Sequence, residues 1–216
     1  LGLVGSEMCI RDSDKRLLRR LLWYRFDVEW NAIYIFDADK EAKIIIDTKE
    51  FVQKEIIAEF DTNILNAENK IDRKKLARIA FQDENHQLRL NSIMHPYVFQ
   101  EIDKQFDNVS SANKHKIFVV DAALIYESGA DTHMDFVIVI TSLLRFRAER
   151  AMGRGNMTRE DFMKRVDLQW TDEDKAHMAD YIISNNNSLE DLKKDARKIF
   201  DQLIYWYSIV FYVSET

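Results

Sequence analysis

Four short apolar runs interrupt a chain otherwise patterned for helix: Ile33-Tyr34-Ile35-Phe36, Ile117-Phe118-Val119-Val120, Phe136-Val137-Ile138-Val139-Ile140 and Tyr181-Ile182-Ile183. Continuous apolar, β-branched runs of this length predict strands buried on both faces, as in a parallel sheet covered by helices. Strands alternating with helical stretches give an α/β class. Residues 41–114 separate the first run from the second, far more than one crossover helix requires, and predict an inserted helical subdomain. Residues 141–177 are charged and poor in large aliphatics, a composition that buries little and predicts a mobile lid. Helix starts are signalled by Asn156-Met157-Thr158 followed by Asp161, and by Ser188 with Asp191.

Composition narrows the classes. With 46% hydrophobic and 31% charged residues in 216, the chain is globular and long enough for a large core. A net charge of -6 argues against a general nucleic-acid binder. One cysteine, Cys9, excludes an intramolecular disulfide framework and suits a reducing compartment. His86, His95, His115, His133 and His177 show no metal-ligand spacing, so no metal site is predicted from side-chain clusters. No window approaches the roughly 20 apolar residues of a membrane span, and Leu1–Gly5 is too short for a signal-peptide core. The expected location is therefore cytoplasmic. Nothing in the sequence sets an oligomeric state.

Candidate chemistry begins at Asp37-Ala38-Asp39, which ends the first run and opens a helical pattern. Ligands bind at the carboxyl ends of parallel strands, so acids there read as chemistry; equally, Asp is a common helix N-cap. The second run closes in the same way on Asp121, with Glu127 a few residues on, like the metal-facing strand end of P-loop NTPases. Arg73 is a phosphate-pairing candidate or a solvated helix-start charge. His95 precedes Pro96, which predicts an extended or turn conformation there. In the lid, Arg150 and Arg154 share a helix face, a repulsive arrangement unless an anion lies between them.

Taken in order, these stretches resemble one family: Phe36–Lys43 (FDADKEAK), Ile71–Phe81 (IDRKKLARIAF), Leu90–Val98 (LNSIMHPYV), Val119–Gly129 (VVDAALIYESG), Arg147–Thr158 (RAERAMGRGNMT), Arg165–Gln169 (RVDLQ) and Ala179–Leu192 (ADYIISNNNSLEDL). The chain resembles dephospho-coenzyme A kinases from about Ile33 to Ile204. The resemblance implies a three-layer P-loop NTPase-like parallel sheet flanked by helices. Its nucleotide-kinase core would be residues 33–40, 115–140 and 178–204, with a substrate subdomain at 41–114 and a lid at 141–177. It implies ATP, Mg²⁺ and dephospho-coenzyme A as ligands, with phosphorylation of the ribose 3′-hydroxyl as the last step of coenzyme A synthesis. Asp37 would accept the hydroxyl proton, while Asp39, Arg73, His95 and Glu127 would lie on the substrate side. Arg150 and Arg154 would face the ATP phosphates, and Asn185 the adenine. Ala123-Leu124-Ile125 stands where the family often has Pro-Leu-Leu, a mild departure.

One departure is serious. The family carries a G-x-x-x-x-G-K-[ST] loop some twenty residues before the first acid, and its amides cradle phosphate. Here that position reads Arg11-Asp12-Ser13-Asp14-Lys15-Arg16, without glycine. Residues 1–32 are therefore expected to be a non-family segment in place of the loop, Leu3–Ser13 resembling translated sequencing-adaptor read-through, and residues 205–216 a non-family tail. The chain as written is expected to be catalytically inactive. Two other readings compete: a nucleoside or nucleotide kinase of the same fold, and a non-catalytic protein that uses the basic amphipathic segment 15–25 on a membrane or partner.

Overall fold

The computed structural model describes residues 33–115, 117–153 and 158–213, with side chains in the last helix described through Leu203. β1 (Ile33–Asp37) leads directly into α1 (Ala38–Thr48) and α2 (Glu50–Phe60). After a 3-10 turn come α3 (Arg73–Ala80) and α4 (Glu84–Ala112), then β2 (Ile117–Asp121), a second 3-10 turn (Ala130–His133) and β3 (Ile138–Thr141). Helices α5 (Leu144–Gly153), α6 (Arg159–Asp167) and α7 (Asp172–Met178) precede β4 (Tyr181–Ser184) and α8 (Leu189–Val213). Each of the four predicted runs contains a strand, although Phe136 and Val137 of the third precede β3, and the class is α/β with parallel pairing.

Among the described residues the strands form two parallel pairs. β1 and β2 run in register from Ile33 opposite Ile117 to Asp37 opposite Asp121. β3 and β4 run from Ile138 opposite Tyr181 to Thr141 opposite Ser184. Burial on both faces is not found in the second pair. Ile140 and Ile183 are covered by Leu192 and Ile199 of α8, whereas Ile182, which alternation turns to the opposite face, is 53% exposed.

The main core joins β1 to the helical insert. Phe36 packs in one cluster with Ile45 and Ile46 of α1, Val52 and Ile56 of α2, Leu76 of α3 and Leu90, Met94 and Val98 of α4. Leu76 is fully buried. Truncating it to Ala costs about 2–5 kcal/mol, the range for deleting a core leucine side chain, which a urea-unfolding midpoint measures.

The turn expected at His95-Pro96 is corrected: both residues lie inside the 29-residue helix α4. Leu90, Met94, Val98 and Ile102 form a buried stripe on both sides of the proline. Ending the helix there would take Val98 and Ile102 off the core, and that burial outweighs the roughly 3 kcal/mol a mid-helix proline costs.

Segment 141–177 buries more than its composition predicts. Phe162 is fully buried against Ala148 and Ala151, with Met152, Met163 and Val166 packed around them. The capping signals at Thr158 and Ser188 are borne out. Thr158 accepts from the Asp161 N–H at 3.1 Å, and Ser188 from the Asp191 N–H at 3.2 Å.

Candidate active site at the strand ends

Asp37 is at once a strand end and a helix cap. It is the last residue of β1, directly opposite Asp121 at the end of β2. It is also the N-cap of α1, its Oδ1 accepting from the Lys40 N–H at 2.9 Å. Strand becomes helix without an intervening loop, which fixes the carboxylate at the carboxyl edge of the sheet. Asp39 follows in the first turn of α1 and is 2% exposed, where the helix dipole favours a negative charge.

At the carboxyl ends of the other pair, Arg150 and Asn185 meet. Arg150 Nη2 donates to the Asn185 carbonyl at 3.1 Å and to its Oδ1 at 3.3 Å. Arg150 Nη1 reaches Ser142 Oγ at 3.2 Å, and that hydroxyl donates to the same carbonyl at 3.1 Å. Asn185 is buried and continues the β3–β4 ladder through its N–H to Thr141, 2.8 Å away. Arg150 is thus fixed by protein oxygens and rests 5.9 Å from the Phe146 ring. Arg154 lies outside the described residues, as does segment 15–25.

Glu127 follows β2 and is held from α7 and the residue Trp170 before it. Lys175 Nζ approaches its Oε1 to 2.6 Å, and the Trp170 N–H donates to the same oxygen at 3.2 Å. Arg147, one of the lid cations, is 6% exposed and grips Asp172 through two 2.7 Å bonds. A half-open cavity of about 60 Å³ is lined by Ala122, Tyr126, Ile140, Gln169, Asp172 and Lys175, among others.

Arg73 and His95 stand on the insert helices α3 and α4. Arg73 opens α3 behind the Asp72 cap and lies 3.5 Å from Asp47, both half exposed. The His95 ring packs 5.9 Å from Phe99, and its buried Nε2 has no hydrogen-bond partner among the described residues.

Burial holds the His95 imidazole below its ordinary value. The unfolded chain therefore binds this proton more readily than the folded one, so stability is full above the unfolded pKa near 6.5 and falls as pH drops below it. The expected slope from this residue is at most about 1.4 kcal/mol per pH unit. His95→Gln removes that contribution, which urea titrations at pH 7.5 and 5.5 compare directly.

Sequence reasoning missed Ser142, Tyr126 and Trp170. Ser142 stands alone before α5 and carries no motif. The Tyr126–Trp170 stack, with centroids 6.2 Å apart and planes within 6°, joins residues far apart in the chain. Thr171 did leave a signal, since it caps α7 by accepting from the Asp174 N–H at 3.0 Å.

Asp37 and Asp121 offer oxygen donors of the type Mg²⁺ takes, one or two carboxylates completed by phosphate oxygens. Among the described residues, no group of three or more His, Cys, Asp or Glu could hold a metal by itself. No helix there is long and apolar enough to cross a membrane.

The family model described as "CoaE: Dephospho-CoA kinase" matches residues 26–191. The dephospho-CoA kinase of Aquifex aeolicus is 33% identical over 203 residues, covering 94% of this chain and 96% of its own. That of Corynebacterium glutamicum is 32% identical over 169 residues, covering 78% and 86%. The solved dephospho-CoA kinase of Campylobacter jejuni superposes with a TM-score of 0.53 at 32% identity, covering 79% of this chain and 85% of its own. A Thermus thermophilus crystal structure shares the fold, with a TM-score of 0.69, 24% identity and 94% of each chain covered. The parallel strands, flanking helices and matched length agree on one assignment: this chain belongs to the dephospho-coenzyme A kinase family of ATP-dependent kinases.

Proposed function

We propose that residues 33–204 are built to bind dephospho-coenzyme A and ATP in the cytoplasm and to transfer the γ-phosphoryl group to the ribose 3′-hydroxyl. One observation carries the reading: the acids Asp37 and Asp121 and the Arg150–Asn185 pair all stand at carboxyl ends of parallel strands. That edge is where α/β folds bind ligands.

Asp37 accepts the proton of the 3′-hydroxyl as its oxygen attacks the γ-phosphorus, and the bond to the β-phosphate oxygen breaks to release ADP. Asp37 is fixed at both ends for this, by the β1–β2 ladder and by its cap to Lys40. Asp39 and Glu127 shape the substrate pocket, with Arg73 and His95 on the same side. Arg150 faces the ATP phosphates, a role the family resemblance also gives to Arg154, and Asn185 lies beside the adenine. Asp121 is the residue to hold Mg²⁺, which when bound screens charge developing on the transferred group.

The 216 residues contain no G-x-x-x-x-G-K-[ST] run. The same proposal therefore includes loss of turnover by the polypeptide as written, and this observation favours a second reading in which the chain binds without catalysing. Competition calorimetry tests the substrate class. Dephospho-coenzyme A is expected to outcompete AMP by at least about tenfold, or 1.4 kcal/mol. Preference for a nucleoside monophosphate transfers the chain to the nucleotide-kinase reading.

A further inference from the structure

Two polar groups of the lid meet on one carboxylate. Lys175 on α7 and the Trp170 backbone reach the same oxygen of Glu127, at 2.6 and 3.2 Å. The Lys175 and Glu127 side chains are only 12% and 13% exposed. Lys175 also donates to the Ala123 carbonyl at 3.2 Å, so its ammonium spans the start and the end of the loop that follows β2. The Trp170 ring lies flat on Tyr126 beside it.

A sealed ion pair adds little net stability, because desolvation offsets the Coulomb attraction. Its effect is on position. Removing one partner leaves the other charge buried, whereas lifting the lid returns both to water together. Intermediate positions of α7 would bury one charge without its partner, so the contact favours lid down or lid up. The clasp also sets where polar capacity points. Gln169 Nε2 and the Tyr126 hydroxyl have no hydrogen-bond partner among the described residues, and both residues line the same cavity as Lys175.

We propose that Lys175 is the positioning residue of the lid: by clasping Glu127 and the Ala123 carbonyl it makes lid closure and the orientation of Glu127 one event. The link to substrate rests on the kinase reading above; the clasp itself does not depend on turnover.

The test uses the full chain labelled with 5-fluorotryptophan, the Trp170 resonance being assigned by its loss in Trp170→Phe. In the ligand-free protein the Trp170 line is displaced upfield by the Tyr126 ring. Lys175→Met moves it toward the position of free 5-fluorotryptophan. Glu127→Gln moves it to the same place, and the double variant moves it no further. Lys175→Arg keeps it where it was. A line that stays put in both Lys175→Met and Glu127→Gln overturns the clasp. Where a single variant fails to fold, the swap of Lys175→Glu with Glu127→Lys decides: the native line position supports the clasp and a displaced line contradicts it.

The substrate arm uses a version of the chain carrying a grafted phosphate loop. There Lys175→Met raises KM for dephospho-coenzyme A about tenfold and leaves KM for ATP within about twofold. Equal loss on both substrates removes the positioning role. If no version phosphorylates dephospho-coenzyme A, the kinase reading falls, while the fluorine result still decides the clasp.

Discussion

Asp37→Asn lowers kcat for dephospho-coenzyme A phosphorylation by about 10²–10⁴-fold, the usual share of a general base. The substitution is informative because of where Asp37 sits. Its Oδ1 caps α1 through the Lys40 N–H, and Asn caps a helix as well as Asp does. The fold and the strand end are therefore preserved while the basic carboxylate is removed. Affinity for dephospho-coenzyme A should stay within about threefold, since the loss falls on the transition state. The measurement belongs in a version of the chain whose residues 1–32 are exchanged for the corresponding strand and phosphate loop of a relative. A parallel loss of substrate affinity would instead make Asp37 a binding residue.

The second large effect is that of the graft itself. Charge spreads over the phosphoryl oxygens during transfer, and aligned backbone amides with a lysine stabilise it without reorganising. Each preorganised donor of that kind is worth about 10²–10³ in kcat. Several are absent together from a sequence that reads Arg11-Asp12-Ser13-Asp14-Lys15-Arg16 where they belong. Restoring the loop should therefore raise turnover by at least about 10³-fold. Affinity for dephospho-coenzyme A should change little, because the substrate-side residues 33–153 are untouched.

The sequence was most informative where local chemistry and long-range position coincide. The run ending at Asp37 announced both a strand and a cap, and both are present. Thr158 and Ser188 are legible for the same reason, since a cap is decided by its own three or four residues. Pro96 misled because the local rule against helix before proline is overridden by the stripe from Leu90 to Ile102, whose burial is a tertiary fact. Ile182 misled in the opposite sense: its run is apolar enough for burial on both faces, but α8 covers only the face that carries Ile140 and Ile183.

The candidate site divides in the same way. Arg150 and Asn185 were visible as a lid cation and a strand-end amide, but Ser142, which completes their contact, has no motif. Lys175 was visible only as one more charge in the mixed-charge segment 141–177. Its pairing with Glu127 spans 48 positions, 175 minus 127, and no periodicity reaches that far. The tight hold on Glu127 is for this reason a structural finding.

The most direct measurement is a coupled ATP-consumption assay with dephospho-coenzyme A, run side by side on the polypeptide as written and on the version with the restored loop. The account predicts no dephospho-coenzyme A-dependent ATP consumption by the first, and formation of the 3′-phosphorylated product by the second. Turnover by the polypeptide as written would contradict it, because phosphoryl transfer would then proceed without the cradle that the account requires.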